Sequence, residues 1–198
     1  MDTRRAEAFS DVVLAVAITV LVFNLLSITL GKHPYRDLAH AWPEYFAYVV
    51  SFLTIGIMWM NHHTVLAHIN RVDRPVLVIN LLLLMGVVAL PFPTALVAEN
   101  LRKPGGAAAA VSYGVAMILI SMCFTGLWIY VVTHVERLGG QAQPEALRRS
   151  IPGFTGGLLV YVAGTIIAAV GLPVVALIIY GVLAVYYLFE HLPSPAAG

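Results

Sequence analysis

The chain has 198 residues, of which 60% are hydrophobic and only 11% charged, and its mean hydropathy of +0.88 belongs with membrane proteins rather than water-soluble ones, whose apolar content is roughly 45–50%. Nearly all of it falls in long apolar stretches, which leaves no room for a soluble catalytic or nucleic-acid-binding module. A net charge of +1 gives no electrostatic footprint for nucleic acid.

A helix needs about 20 mostly apolar residues to cross the hydrocarbon layer. In chain order, stretches of that kind run at Phe9–Leu30, Tyr45–Ala67, Val76–Ala98, Ala108–Thr133, Phe154–Val170 and Val174–Phe189. The chain therefore reads as an all-α integral membrane protein, a single domain over residues 1–198 with six transmembrane helices. Arg4 and Arg5 ahead of the first apolar run resemble the start of a signal peptide, but the run is too long and lacks a small-x-small cleavage site, so it is expected to stay attached. Gly171-Leu172-Pro173 carries no charge and is expected to make a tight hairpin between the last two spans.

Alternating the helix directions puts seven basic residues on the N-terminal side (Arg4, Arg5, Arg71, Arg74, Arg137, Arg148, Arg149) against four on the other (Lys32, Arg36, Arg102, Lys103). Both termini fall on the richer side, and the positive-inside rule places them in the cytoplasm of a multi-pass protein of the cell membrane. The longest loop, His134–Ser150, reads as a cytoplasmic linker with Gly139-Gly140 at a turn. The single cysteine, Cys123, lies within an apolar run and is read as packing, since it has no second cysteine to join. The triplet Phe9-Ser10-Asp11 does not recur, so the internal repeat common in secondary transporters has no support.

An ionisable group inside a span is costly and needs a partner or a function. Asp11 sits about one turn inside the first span, and Asn61, His62, His63 and Asn80 come to similar depth on the next two. The simplest arrangement is a hydrogen-bonded cluster in which Asp11 accepts from Asn61 or a histidine, while Ser10, Trp59 and Asn80 satisfy the remaining groups and lock helix register. The competing use of the same residues is a proton or ion path. Histidine also invites a metal or haem, but His62 and His63 point about 100° apart on a helix and no Glu-x-x-His pair, HExxH or cysteine partner completes a shell. No GxSxG elbow or Gly-rich phosphate loop occurs, so the chain reads as no enzyme and carries no expected cofactor or metal.

Arg5-x-x-x-Phe9-Ser10-Asp11, continued by Ala17-Ile18-Thr19, Trp59-x-Asn61-His62-His63 and Pro91-Phe92-Pro93-Thr94, resembles the signature of the transmembrane protein 175 family, lysosomal potassium channels and their prokaryotic relatives. The likeness is carried by the first half of the chain, and a single six-helix unit is similar to the prokaryotic branch, whose members are homotetramers. The resemblance implies a potassium-permeable channel whose first helix, from each of four subunits, lines a pore narrowed by apolar side chains. The sequence holds no TVGYG-like loop for a carbonyl filter.

The family's constriction position, the fifth residue after the motif aspartate, selects Val16. Helical spacing then puts Val12, Thr19, Val20 and Phe23 on the same face, with Asp11 about 140° away. The family usually places a bulkier Leu or Ile there, so Val16 implies a wider ring and Phe23 supplies a narrower one. Thr19 is the one polar candidate on the stripe, able to replace part of a cation's hydration shell. Arg5 returns to nearly the same face, and because a ring of arginines would repel cations it is expected to be paired with Glu7, Asp73 or a helix end. The implied partners are thus other copies of the chain, the lipid bilayer and monovalent cations. The principal alternative is a proton-coupled small-solute transporter using Asp11 with His62 or His63.

Overall fold

The structure is a computed structural model that describes residues 2–140 and 144–189. The first helix, α1, runs Thr3–Val20 and continues without a break as a 3-10 helix over Leu21–Ser27. It starts six residues earlier than the apolar run suggests, because Asp2 caps it by accepting the Arg4 amide at 3.1 Å. After a short helix α2, Pro34–His40, the second span is α3, Trp42–Ala67.

The third span is continuous over Arg74–Asn100 but kinked into α4, Arg74–Ala89, and α5, Pro91–Asn100. Pro91 and Pro93 lack the N–H groups that the preceding turn would bond, which accounts for the kink. The fourth span is α6, Gly106–Thr133. A short helix α7, Pro144–Arg148, lies within the linker and was not legible as an element in the sequence. It leads into α8, Ile151–Ala169, and α9, Pro173–Leu188.

Five of the spans are long and apolar enough to cross a membrane, and α9 is a shorter apolar helix of 16 residues. The turn joining α8 to α9 needs Gly171, whose φ of 95° lies in the left-handed region.

The core is built around α6. Its Tyr113, Met117, Ile120, Leu127 and Trp128 are fully enclosed, and α6 packs against α4, α5, α8 and α9. The approach of α8 and α9 is close because Gly164 faces Tyr180, where an added Cβ would meet the ring at 2.5 Å, and α6 comes near both through Gly114, which lies against Thr165 and Tyr180. By contrast α1 buries one narrow stripe, Thr3, Ala6, Ser10, Leu14 and Ala17, continued by Leu21, at spacings of three or four residues.

The linker docks on the turn between α3 and α4, where the Leu138 carbonyl accepts the amides of Asn70 and Arg71, both at 3.0 Å. Asp73 caps α4 through the Val76 amide, accepts the Tyr130 hydroxyl at 2.7 Å and pairs with Arg137 at 3.2 Å. Desolvation pushes its carboxyl up, but the hydrogen bonds from Tyr130 and Val76 and the nearby Arg137 guanidinium outweigh this and hold it below the ordinary carboxylate value.

Candidate functional site

The polar residues near one end of α1, α3 and α4 form a directed chain of hydrogen bonds. Ser10 donates its hydroxyl to the Ala6 carbonyl one turn back at 2.8 Å, so its oxygen is left to accept. It accepts from the Asn80 amide nitrogen at 2.9 Å. The Asn80 carbonyl oxygen then faces His62 Nε2 at 2.8 Å, and since that oxygen can only accept, His62 carries its proton on Nε2. The other ring nitrogen, Nδ1, is buried without a partner, and the ring lies beside the apolar side chains of Leu14, Met58, Leu83 and Phe124.

Two further contacts tie α1 to α3. The Trp59 indole N–H donates to Asp11 Oδ1 at 2.9 Å, and four residues along the same face of α3 the His63 Nδ1 meets Glu7 Oε1 at 2.5 Å. The expected cluster therefore exists, with different pairings. Asp11 is held by Trp59 and contacts neither Asn61 nor a histidine among the described residues. Asn61 is turned away altogether and lines a cleft with Thr54, Met117, Ser121, Tyr161 and Tyr187. Its neighbour His62 lies about 100° around the helix, which is why one faces that cleft and the other faces α4.

Arg5 also departs from expectation. It is exposed, and the two carboxylates among its three anticipated partners are taken within the subunit, Glu7 by His63 and Asp73 by Arg137. No side-chain ion pair to Arg5 occurs among the described residues. Phe9, the remaining motif residue, points outward on the same side of α1.

The face of α1 opposite its buried stripe is largely exposed among the described residues. Val12 is 65% exposed, Val16 53% and Phe23 63%, and Thr19 and Val20 are exposed with them. Thr19 donates its hydroxyl to the Val16 carbonyl at 2.8 Å, which leaves the oxygen's lone pairs outward.

Leu26, at 71% exposure, belongs to the same line and was missed in the sequence. An α-helical period carries the stripe from Phe23 toward position 27, whereas in a 3-10 helix side chains three apart eclipse, so Val20, Phe23 and Leu26 stack. No proline or glycine between Val20 and Ser27 signals the change of winding.

Among the described residues no group of three His, Cys, Asp or Glu could hold a metal ion. His68, the third histidine of this region, is engaged instead with the Thr64 carbonyl at 2.7 Å and edge-on with Trp128 at 5.4 Å.

Comparison with known proteins places this arrangement. The profile of the endosomal/lysosomal potassium channel TMEM175 family matches residues 5–91, the part that contains the whole hydrogen-bonded cluster. A potassium channel of Streptomyces collinus is 39% identical over 98% of this chain and 95% of its own length. The crystal structure of a lysosomal potassium-selective channel TMEM175 homolog from Chamaesiphon minutus superposes with a TM-score of 0.82 at 31% identity, covering 96% of this chain and 97% of that one. The endosomal/lysosomal proton channel TMEM175 of Bos taurus is more distant, 27% identical over 74% of this chain and 32% of its own length. A relative similar along nearly its entire length, together with the family profile, shows that this chain belongs to the TMEM175 family.

Proposed function

We propose that the chain forms a potassium-permeable cation channel of the cell membrane, a homotetramer in which α1 of each subunit lines a shared pore. One observation carries this reading. The opposite side of α1 is fixed to α3 and α4 by Ser10, Asp11 and Glu7, while its outward side leaves an apolar stripe with a single hydroxyl exposed among the described residues. The bacterial relatives named as potassium channels support the choice of ion.

In this reading Val16 and Phe23 make successive apolar rings, and Thr19 offers oxygen lone pairs between them in place of part of the cation's hydration shell. Six spans are read from the apolar runs, and the distribution of arginine and lysine then puts both ends in the cytoplasm. Asp11, His62, Asn80 and Ser10 serve as fasteners. The transporter alternative gains nothing from the geometry, because Asp11 meets neither His62 nor His63 among the described residues and His62 Nδ1 is turned to apolar side chains.

The test is flux through purified protein in liposomes. Potassium should run down its gradient with no coupling ion, and Val16→Asn or Phe23→Asn should raise leak conductance. Substitutions elsewhere that change flux while both of these leave it unaltered would sink the pore assignment. Because the vertebrate relatives are named proton channels, a pH gradient belongs in the same experiment, with reversal potentials measured for potassium, sodium and protons.

A further inference from the structure

Between α8 and α9 the surface carries a groove of about 510 Å³, with Gly153 and Gly156 on its floor and Val160, Ile178, Val182 and Tyr186 along its sides. Two of its glycines are not explained by packing. An added Cβ at Gly153 or Gly156 would meet nothing within 4 Å, unlike Gly157, which lies under Tyr187. Glycine inside a helix is unfavourable relative to alanine, yet at these two positions nothing in the subunit requires it. Their effect is to hollow out a trough running from Gly153 about 10 Å along the helix to Val160.

Arg148 and Arg149 stand three and two residues before α8, whose first turn, with Pro152 and Gly153, forms one end of that trough. Both arginines are exposed, and neither has a side-chain ion pair among the described residues. The one carboxylate of α7, Glu145, is exposed one turn earlier and could answer at most one of them. The groove is thus apolar along its length and doubly positive at the end that the arginine distribution puts at the cytoplasmic surface.

We propose that this groove holds an acyl chain of an anionic phospholipid of the cytoplasmic leaflet, its phosphate set against Arg148 and Arg149. A basic site at the cytoplasmic edge of adjoining transmembrane helices is the electrostatic pattern that such a headgroup recognises, and the trough supplies what a free phosphate would not use. A second copy of the chain is the competing occupant, and the trough variants below distinguish the two. The proposal rests on the cytoplasmic placement of the chain ends, but not on ion conduction.

The test uses the intact purified oligomer, delipidated in detergent and titrated with phosphatidylglycerol and with phosphatidylcholine of the same chains, binding being read by native mass spectrometry. Wild type should favour phosphatidylglycerol. Replacing both arginines with glutamine, R148Q with R149Q, should weaken that lipid by roughly tenfold or more and erase the preference. Filling the trough with Gly156→Leu, or with Val182→Trp at a position 63% exposed in the subunit, should weaken both lipids.

The proposal is overturned if the arginine variant keeps its preference, or if both trough variants bind as wild type does. It is also overturned if inorganic phosphate competes as well as the lipid, or if Val182→Trp separates pairs of oligomers in place of displacing lipid. Loss of potassium flux with lipid binding intact would count against the channel and leave this site standing.

Discussion

Two helices whose apolar 18-residue cores are almost equal in mean hydropathy, 2.3 within Thr3–Leu26 and 2.2 within Gly106–Thr133, have opposite places in the subunit. The second is the hub of the core, with its large side chains enclosed on several sides. The first buries one narrow stripe, with Glu7 and Asp11 bonded to α3 beside it, and leaves Val12, Val16, Val20 and Phe23 exposed. Apolar character therefore reports that a helix lies in the membrane and is silent on whether it meets protein, lipid or a water-filled path. What separates the two here is the placement of polar groups. Those of α1 bond sideways to neighbouring helices, and that fixes which of its faces is left over.

The sharpest way to break this contrast is truncation on each helix. Trp128 is fully enclosed and donates to the Ser150 hydroxyl at 3.0 Å, so Trp128→Ala should cost about 3–5 kcal/mol and lower the yield of folded protein. Val16→Ala, on the exposed side of α1, should change stability by no more than about 0.5 kcal/mol while altering ion flux. Equal destabilisation by the two would erase the distinction drawn above.

Next in size is Asn80→Ala, which removes both the donor to Ser10 and the acceptor of His62 and should cost about 1–2 kcal/mol in a thermal melt. Asp73→Ala loses a helix cap and should cost about 1 kcal/mol at neutral pH. Because the Asp73 carboxyl is held below its ordinary value when folded, its stabilisation is present above the ordinary carboxylate pKa and fades as the pH falls through the folded one. The gap between wild type and Asp73→Ala should accordingly narrow in acid, and a gap that widens there would contradict the assigned partners. The smallest effect is expected for the coupling of Asp11 with Trp59, about 0.6 kcal/mol in a double-mutant cycle of Asp11→Asn with Trp59→Phe.

The membrane helices were legible in the sequence because each is a long apolar run, and the hairpin at Gly171 because its neighbours carry no charge. Membership of the hydrogen-bonded cluster was legible by depth for Ser10, Trp59, His62 and Asn80. Depth along a helix follows from counting residues, but rotation about its axis is set by neighbours. That is why Asn61 was grouped with His62 although the two face different helices. Glu7 was named as a partner for Arg5, when its position one turn before Asp11 aims it at His63. Two short helices begin at Pro34 and Pro144, where proline suits the first turn, but neither has the apolar periodicity that would announce it. The tightened winding after Val20 has no local residue signal at all, and with it Leu26 escaped notice.

That tightened winding also alters reach. At about 1.5 Å per residue in α1 and about 2.0 Å over Leu21–Ser27, the first span is about 40 Å long, some 10 Å more than the hydrocarbon layer of about 30 Å. At the other end of the chain α9 covers only about 24 Å. The two ends of the chain therefore differ in reach: an α9 that spans falls short of the hydrocarbon layer even when upright and requires the lipid beside it to thin, whereas the first span extends past the hydrocarbon boundary toward the aqueous phase.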